Sequence, residues 1–192
     1  MWQKVVLLFF NMIVSRLPGS GFSWLKRMTL RLSGVTIGRH VFIDYGACIW
    51  GNGRIVIGND TYIGRNVALE CDFGHLEIGR GCEVNHGSLL SANGGSSLSV
   101  GDNTHIAHFV SIKCSTQNID MSEDGIVGEC VYKDIVVGAG GWLCAGCIVL
   151  PGVTIGMRNV VAAGAVVTKS SPPDVLLAGV PAVVKKIYSK EK

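Results

Sequence analysis

The chain has 192 residues, enough for one domain, with 48% hydrophobic residues, 16% charged residues and 26 glycines. This apolar, charge-poor composition excludes a disordered chain, and the absence of a Gly-X-Y period excludes collagen. The net charge is +3, and no basic run with interleaved aromatic residues occurs, so we expect no nucleic-acid partner.

Residues 1–33 are predicted to form two helices, separated by the sequence Pro-Gly-Ser-Gly at 18–21. The first helix contains an apolar run at 5–10 that is too short to span a membrane. Two interpretations of this segment stay open. It caps one end of the core, or residues 1–16 lie on a membrane surface as a peripheral contact.

A six-residue repeat follows the helical segment. Aliphatic residues, each followed by a small or polar residue, recur in triplets whose members are always six residues apart. The eighteen positions are Ile37, Ile43, Ile49, Ile57, Ile63, Leu69, Ile78, Val84, Leu90, Val100, Ile106, Ile112, Val137, Leu143, Val149, Ile155, Val161 and Val167. Insertions of 2, 3, 4, 19 and 0 residues separate successive triplets, and each insertion follows the third member of a triplet.

Such spacing predicts a triangular β-solenoid in which six residues make one short strand and one turn, and three units close a coil. Parallel strands of successive coils would then stack about 4.8 Å apart with the aliphatic side chains inside. The residue two before each aliphatic position is also predicted to face inward. Cys147 is one of these, so Cys144-Ala-Gly-Cys147 is interpreted as part of the repeat and not as a metal or redox half-site.

The unit [aliphatic]-Gly-x-x-[small or aliphatic]-x resembles the hexapeptide-repeat family, whose members form left-handed β-helices and are mostly acyltransferases. The resemblance implies an all-β solenoid, a left-handed parallel β-helix of about six triangular coils over 34–169. A short helical cap at 1–33 would precede it, and an extended C-terminal tail at 170–192 would follow. The segments 151–156, 163–169 and 178–182 are similar to galactoside and maltose acetyltransferases.

One corner of the predicted coil concentrates polar residues. Two residues beyond the second member of each triplet stand Tyr45, Arg65, His86, His108, Ala145 and Ala163. His86 and His108 therefore lie on neighbouring coils, with Asn85 beside them. Imidazole is suited to general-base catalysis near neutral pH, so we predict catalytic roles for His108, His86 and Asn85. The alternative is that both histidines are ordinary surface residues at a turn.

The 19-residue insertion, spanning about 113–134, is predicted to be functional because a long loop in a compact solenoid usually is. In the galactoside and maltose type, a loop at this point reaches over the active site, so Gln117 and Asp120 are expected to bind substrate. That subgroup carries its catalytic histidine where this chain has Gln117, and an amide cannot take up a proton. Four alternatives stay open: His108 replaces that histidine, His86 serves as the base, the chain is weakly active or inactive, or the substrate or cofactor supplies the base.

The resemblance further implies acetyl-CoA, or another acyl-CoA, as the acyl donor in a groove between two subunits of a homotrimer. The cofactor-binding positions carried over are Ala145, Ala163, Thr168, Lys169, Lys185 and Trp142. Small residues would let the pantetheine arm approach the backbone, and lysines would meet its phosphates. As alternatives, Lys185 belongs to a solvated tail and Trp142 packs against the coil.

We therefore expect an acetyltransferase that acts on a sugar hydroxyl or amine in polysaccharide or glycan precursor biosynthesis, with no metal. Three alternatives stay open: a serine acetyltransferase-like enzyme, a catalytically weak scaffold, and a γ-carbonic-anhydrase-like zinc enzyme using His86, His105 and His108. Seven cysteines without a preceding signal-peptide pattern predict free thiols. The expected location is cytoplasmic, with 1–16 the candidate contact with the inner face of the membrane.

Overall fold

The chain forms a left-handed parallel β-helix behind an N-terminal helical cap, as the repeat and the resemblance predicted. A computed structural model describes residues 2–122 and 125–188, including all their side chains except those of 120–127. Within these ranges about six triangular coils stack on one another.

The cap consists of helix α1, Trp2–Met12, a 3-10 turn at Val14–Arg16, and helix α2, Gly19–Leu32. The predicted separator at 18–21 was wrong in its last three residues, because α2 begins at Gly19. Pro18 stands directly before the first turn, where its missing N–H and fixed φ disturb no helical hydrogen bond. No helix in the described residues has the length and apolar character needed to cross a membrane.

Three parallel sheets form the faces of the solenoid, and each aliphatic triplet contributes one strand to each sheet. Among the described residues, the first sheet contains Thr36–Ile37, Arg54–Ile57, His75–Ile78, Ser97–Val100, Ile135–Val137 and Thr154–Ile155. The second contains Phe42–Ile43, Tyr62–Ile63, Glu83–Val84, His105–Ile106, Trp142–Leu143, Val160–Val161, Val175–Gly179 and Ala182–Ile187. The third contains Cys48–Trp50, Ala68–Glu70, Leu89–Ser91, Ser111–Lys113, Ile148–Val149 and Val166–Val167.

The core is the stack of inward side chains that the repeat predicted. All eighteen aliphatic positions are buried, and so are the small or branched residues two positions before them. Cys147 is fully buried, and burial raises the pKa of its thiol to about 12. A thiol that stays protonated is a poor metal ligand, so the structure supports its interpretation as a core residue.

The 19-residue insertion forms an antiparallel hairpin of Ser115–Ser122 and Gly125–Tyr132 instead of an irregular loop. Gln117 lies opposite Cys130 in this hairpin and is exposed. The tail is extended as predicted. Val175–Gly179 joins the second sheet in parallel, and Ala182–Ile187 returns antiparallel to it.

Two polar side chains fix the cap on the first coil. The Asn11 amide donates to the Ile49 carbonyl at 2.6 Å and accepts from the Ile49 amide at 2.9 Å, so it takes the place of a further strand at the sheet edge. The buried Lys26 ammonium donates to the carbonyls of Ser15 and Asp44 at 3.1 and 2.8 Å. Burial lowers the pKa of Lys26, and the Asp44 carboxylate opposes this shift.

Candidate active site

The predicted polar corner exists and lies between the second and third sheets. Backbone amides there donate to the residue one coil below, Asn66 to Tyr45, Gly87 to Arg65, Phe109 to His86 and Gly146 to His108. This ladder places His86 and His108 on adjacent coils. Their ring centroids are 5.0 Å apart and their planes meet at 80°. The structure therefore brings the two predicted histidines together.

A chain of hydrogen bonds through Tyr62 to Asp44 fixes the orientation of the His86 ring. Its Nε2 lies 3.2 Å from the Tyr62 hydroxyl, which donates to Asp44 Oδ2, also at 3.2 Å. Because the Tyr62 hydroxyl donates its only proton to Asp44, the Tyr62 oxygen can only accept from His86, and Nε2 of His86 must be the donor. This hydrogen-bond assignment leaves Nδ1 as the nitrogen of His86 that can accept a proton.

Asp44 is the charged end of this chain. Burial alone would raise the pKa of Asp44, but hydrogen bonds from the Tyr45 amide, Arg65 and Tyr62 outweigh it and lower the pKa. Burial and the neighbouring Asp44 raise the pKa of Tyr62. The carboxylate is therefore charged at neutral pH while the tyrosine keeps its proton, which is the pairing that the hydrogen-bond chain needs.

Sequence reasoning missed Tyr62 and Asp44. They stand directly before Ile63 and directly after Ile43, two inward positions of the second sheet. Searching the outward positions next to the corner would have found both residues. Their mutual contact could not have been found this way, because it depends on how side chains lean across coils.

The predicted Asn85 lies beside the histidines but is engaged with the backbone. Its side-chain amide and its backbone amide both donate to the Ile106 carbonyl, at 3.1 and 2.8 Å. The side chain thus ties its coil to the coil that carries His108. A catalytic role for Asn85 stays a prediction.

Phe109 occupies an unusual backbone position next to His108. Its φ is +58°, in the left-handed region, where a bulky side chain is rare. The equivalent residues of the other coils, all with positive φ, are Gly46, Asn66, Gly87, Gly146 and Gly164. The Phe109 ring is 70% exposed and lies 6.5 Å from the His108 ring, and it covers Gly87 so closely that a Cβ there would come within 2.5 Å. An exposed aromatic ring therefore flanks the histidine pair.

Two of the predicted cofactor positions lie on the same corner of the β-helix as the histidines. Ala145 and Ala163 are exposed and continue the corner column beyond His108, with the amide of Gly164 donating to the Ala145 carbonyl. A Cβ on Gly146 or Gly164 would meet nothing within 4 Å, so this stretch of the corner is open. An extended chain could lie along it.

The remaining predicted residues lie outside the corner column that carries the histidines. Thr168 and Lys169 are exposed after the last strand of the third sheet, and Lys185 is exposed on the last strand of the second. Trp142 is exposed beside His105 in the second sheet. The side chain of Asp120 lies outside the described residues.

In the part of the chain that the structure describes, no group of three or more His, Cys, Asp or Glu side chains is arranged to hold a metal ion. His105 instead pairs with Glu83, with 3.4 Å between Nδ1 and Oε2.

Comparison with known proteins agrees with the repeat and the fold, although no protein-family model matches the chain. Galactoside O-acetyltransferase of Escherichia coli K12 is 33% identical over 158 residues, 82% of this chain and 66% of that protein. WcaF of the same organism, provisionally named as a colanic acid biosynthesis acetyltransferase, is 29% identical over 163 residues, 85% of this chain and 74% of WcaF.

Among solved structures, the hexapeptide-repeat acetyltransferase VCA0836 of Vibrio cholerae, complexed with acetyl coenzyme A, superposes with a TM-score of 0.68. It is 21% identical, and the match covers 98% of this chain and 86% of that one. The superposition shows that this chain shares its fold, a parallel β-helix, with that acetyltransferase. This chain spans just under two thirds of the length of the galactoside O-acetyltransferase.

Proposed function

We propose that the chain is an acyl-CoA-dependent acetyltransferase whose acceptor is a sugar hydroxyl or amine. The observation that carries this proposal is the pair of histidines on the open corner of the β-helix, which meet edge to face with ring centroids 5.0 Å apart. The names of the relatives support a galactoside or polysaccharide acceptor, and the acetyl coenzyme A complex of VCA0836 supports the donor.

In the proposed reaction His108 is the general base, because it is the exposed member of the pair. It takes the proton of the acceptor as the acceptor attacks the acetyl carbonyl, and it returns that proton to the departing sulfur. The partly buried His86 lies behind it, held by Tyr62. When bound, acetyl-CoA supplies the thioester, and the products are the acetylated acceptor and CoA.

The open corner fits the donor. Ala145 and Ala163 have no side chain beyond Cβ, and Gly146 and Gly164 face open space, so a pantetheine arm can run along them to His108. We further propose that Thr168, Lys169 and Lys185 meet the phosphates, as the resemblance implies. The exposure of this corner on one chain is consistent with the homotrimer and shared active sites that the resemblance implies.

Three finer statements also belong to the proposal. The acceptor would be a precursor of a polysaccharide or glycan, the enzyme would act in the cytoplasm, and residues 1–16 would contact the membrane peripherally. The relative WcaF, by its name, supports the first of them.

Thiol release from acetyl-CoA, measured against a panel of free sugars, nucleotide sugars and amino sugars, tests the proposed function. We expect release that depends on at least one sugar acceptor. Release stimulated by serine but by no sugar would favour an amino-acid enzyme. No release with any acceptor, together with no CoA binding at millimolar concentration, would leave the scaffold interpretation.

Phe109→Asn is expected to weaken binding of the sugar without lowering the stability of the fold. Asparagine tolerates the left-handed conformation, as Asn66 does at the same corner, so the free energy of unfolding should be unchanged or rise by up to about 1 kcal/mol. Loss of the exposed ring beside His108 should raise the KM for the sugar severalfold, because sugars commonly pack on aromatic faces. Thermal unfolding and initial rates measure the two effects. A variant that is less stable with an unchanged KM would show that the ring serves only packing.

A further inference from the structure

The outer face of the helical cap is apolar, although the cap already buries another face. Helix α1 packs Val6 and Phe10 into the core. Ten large apolar side chains of the cap are nevertheless exposed: Trp2, Val5, Leu8, Phe9, Met12, Ile13, Phe22, Trp24, Met28 and Leu32. The described residues contain 26 exposed large apolar side chains, and ten of them lie within the 31 residues of the cap, 2–32. A helix that is apolar on all sides is normally covered, so this face needs a partner.

The charge of this region indicates which kind of partner would cover the apolar face. Residues 1–43 contain six lysines and arginines, of which Lys26 is buried and the other five are at least partly exposed, and no aspartate or glutamate. The other 149 residues, with 11 basic and 14 acidic side chains, carry a net charge of −3. A positive, apolar end therefore opposes a negative body. A second copy docked on this face would bring two positive segments together, whereas an anionic surface would attract them.

We propose that the outer face of the cap docks on an anionic lipid membrane. Helix α1 has 11 residues and is about 16 Å long, about half the thickness of the hydrocarbon layer, so it would lie in the plane of the interface. Trp2 and Trp24 are 71% and 58% exposed, and tryptophan favours this interfacial depth. The inference rests on the proposed peripheral contact of residues 1–16 and extends it to the whole outer face of the cap and to anionic lipid, but it uses no residue of the histidine corner and does not depend on acetyl transfer.

Docking here would have a consequence for the proposed acceptor. The cap rests on the first coil through Lys26 and Asn11, and the hydrogen-bond chain to His86 begins on that same coil at Asp44. A membrane under the cap would thus hold the site a few coils, about 10–20 Å, above the lipid surface. A glycan attached to a lipid would reach such a site.

Sedimentation of the full-length chain with vesicles tests the proposal. The vesicles are phosphatidylcholine alone, or phosphatidylcholine with 30% phosphatidylglycerol. The apolar variant is Val5→Gln with Phe9→Gln, and the charge variant is Lys4→Gln with Arg16→Gln. The control is Val136→Gln with Met157→Gln, which removes two comparably exposed apolar side chains from the β-helix. Thermal unfolding and light scattering without vesicles check the fold and the oligomeric state.

We expect the wild-type chain to bind the anionic vesicles at least about tenfold better than the neutral ones, with binding that weakens as salt is raised. The apolar and charge variants should each lose about tenfold in binding, and the control should bind like the wild type. Equal binding to both vesicles, no binding to either, or an unchanged apolar variant would overturn the proposal. So would a change of oligomeric state in the apolar variant, because it would assign the face to a protein contact. Acetyl transfer to a soluble sugar should be unaffected by any of these variants.

Discussion

His108→Ala is expected to lower kcat for acetyl transfer by about 10²-fold or more, with little change in thermal stability. The exposed imidazole is the group placed to take the acceptor proton, while its loss removes little buried surface. Steady-state rates with the best acceptor of the panel measure the effect. The matched control is His105→Ala on the same coil, whose side chain is also exposed and pairs with Glu83. We expect its rate to stay within about twofold of the wild type.

Two further variants decide which of the two histidines is the general base. His86→Ala should also slow the reaction, and Tyr62→Phe should have a smaller effect that appears in the pH profile of kcat, because it removes the group that orients His86. A large loss in His86→Ala with none in His108→Ala would make His86 the base. If neither histidine variant lowers the rate by about 10²-fold, the assignment of this corner as the site is wrong.

Gly58→Ala is expected to lower the free energy of unfolding by about 3 kcal/mol, and the Tm by roughly 6–12 °C. Gly58 lies at the corner between the first and second sheets. A Cβ there would lie 2.5 Å from the Gly79 carbonyl carbon and 2.6 Å from the Arg80 amide nitrogen of the next coil. Both contacts are with backbone, so no flexible side chain can move aside and the coils themselves must separate. Thermal and denaturant unfolding measure the change.

The matched control is Gly21→Ala. Gly21 lies inside helix α2, and a Cβ there would meet nothing within 4 Å. Alanine has the higher helix propensity, so this variant should gain up to about 1 kcal/mol. The two substitutions are chemically identical and should have opposite signs. A Gly58→Ala protein within about 1 kcal/mol of the wild type would mean that the coils are less tightly stacked than the structure shows.

The repeat was the part of the sequence that predicted most. A constant step of six with insertions after each third member assigns every solenoid strand to its sheet and identifies the buried side chains. It also made His86 and His108 neighbours, because residues at the same place in successive coils stack at the spacing of β-strands. Cys147 was recognised as a core residue for the same reason.

Non-repeating parts were predicted less well. The insertion was expected as a loop and is a hairpin, and α2 begins three residues before the expected position. Neither feature follows from the six-residue period. The contact of Tyr62 with His86 and Asp44 was not predicted, nor was the Asn11 amide that covers the edge of the third sheet.

The sequence by itself therefore determined the solenoid, its number of coils and the corner that carries the histidines. These properties depend on local periodicity, which a chain carries in its order of residues. Only the tertiary structure decided how His86 is held, how Phe109 comes to flank His108 and which face of the cap stays uncovered. Those features depend on where side chains from different coils and helices meet, and a repeat fixes the positions of Cα atoms without fixing the directions of the polar side chains they carry.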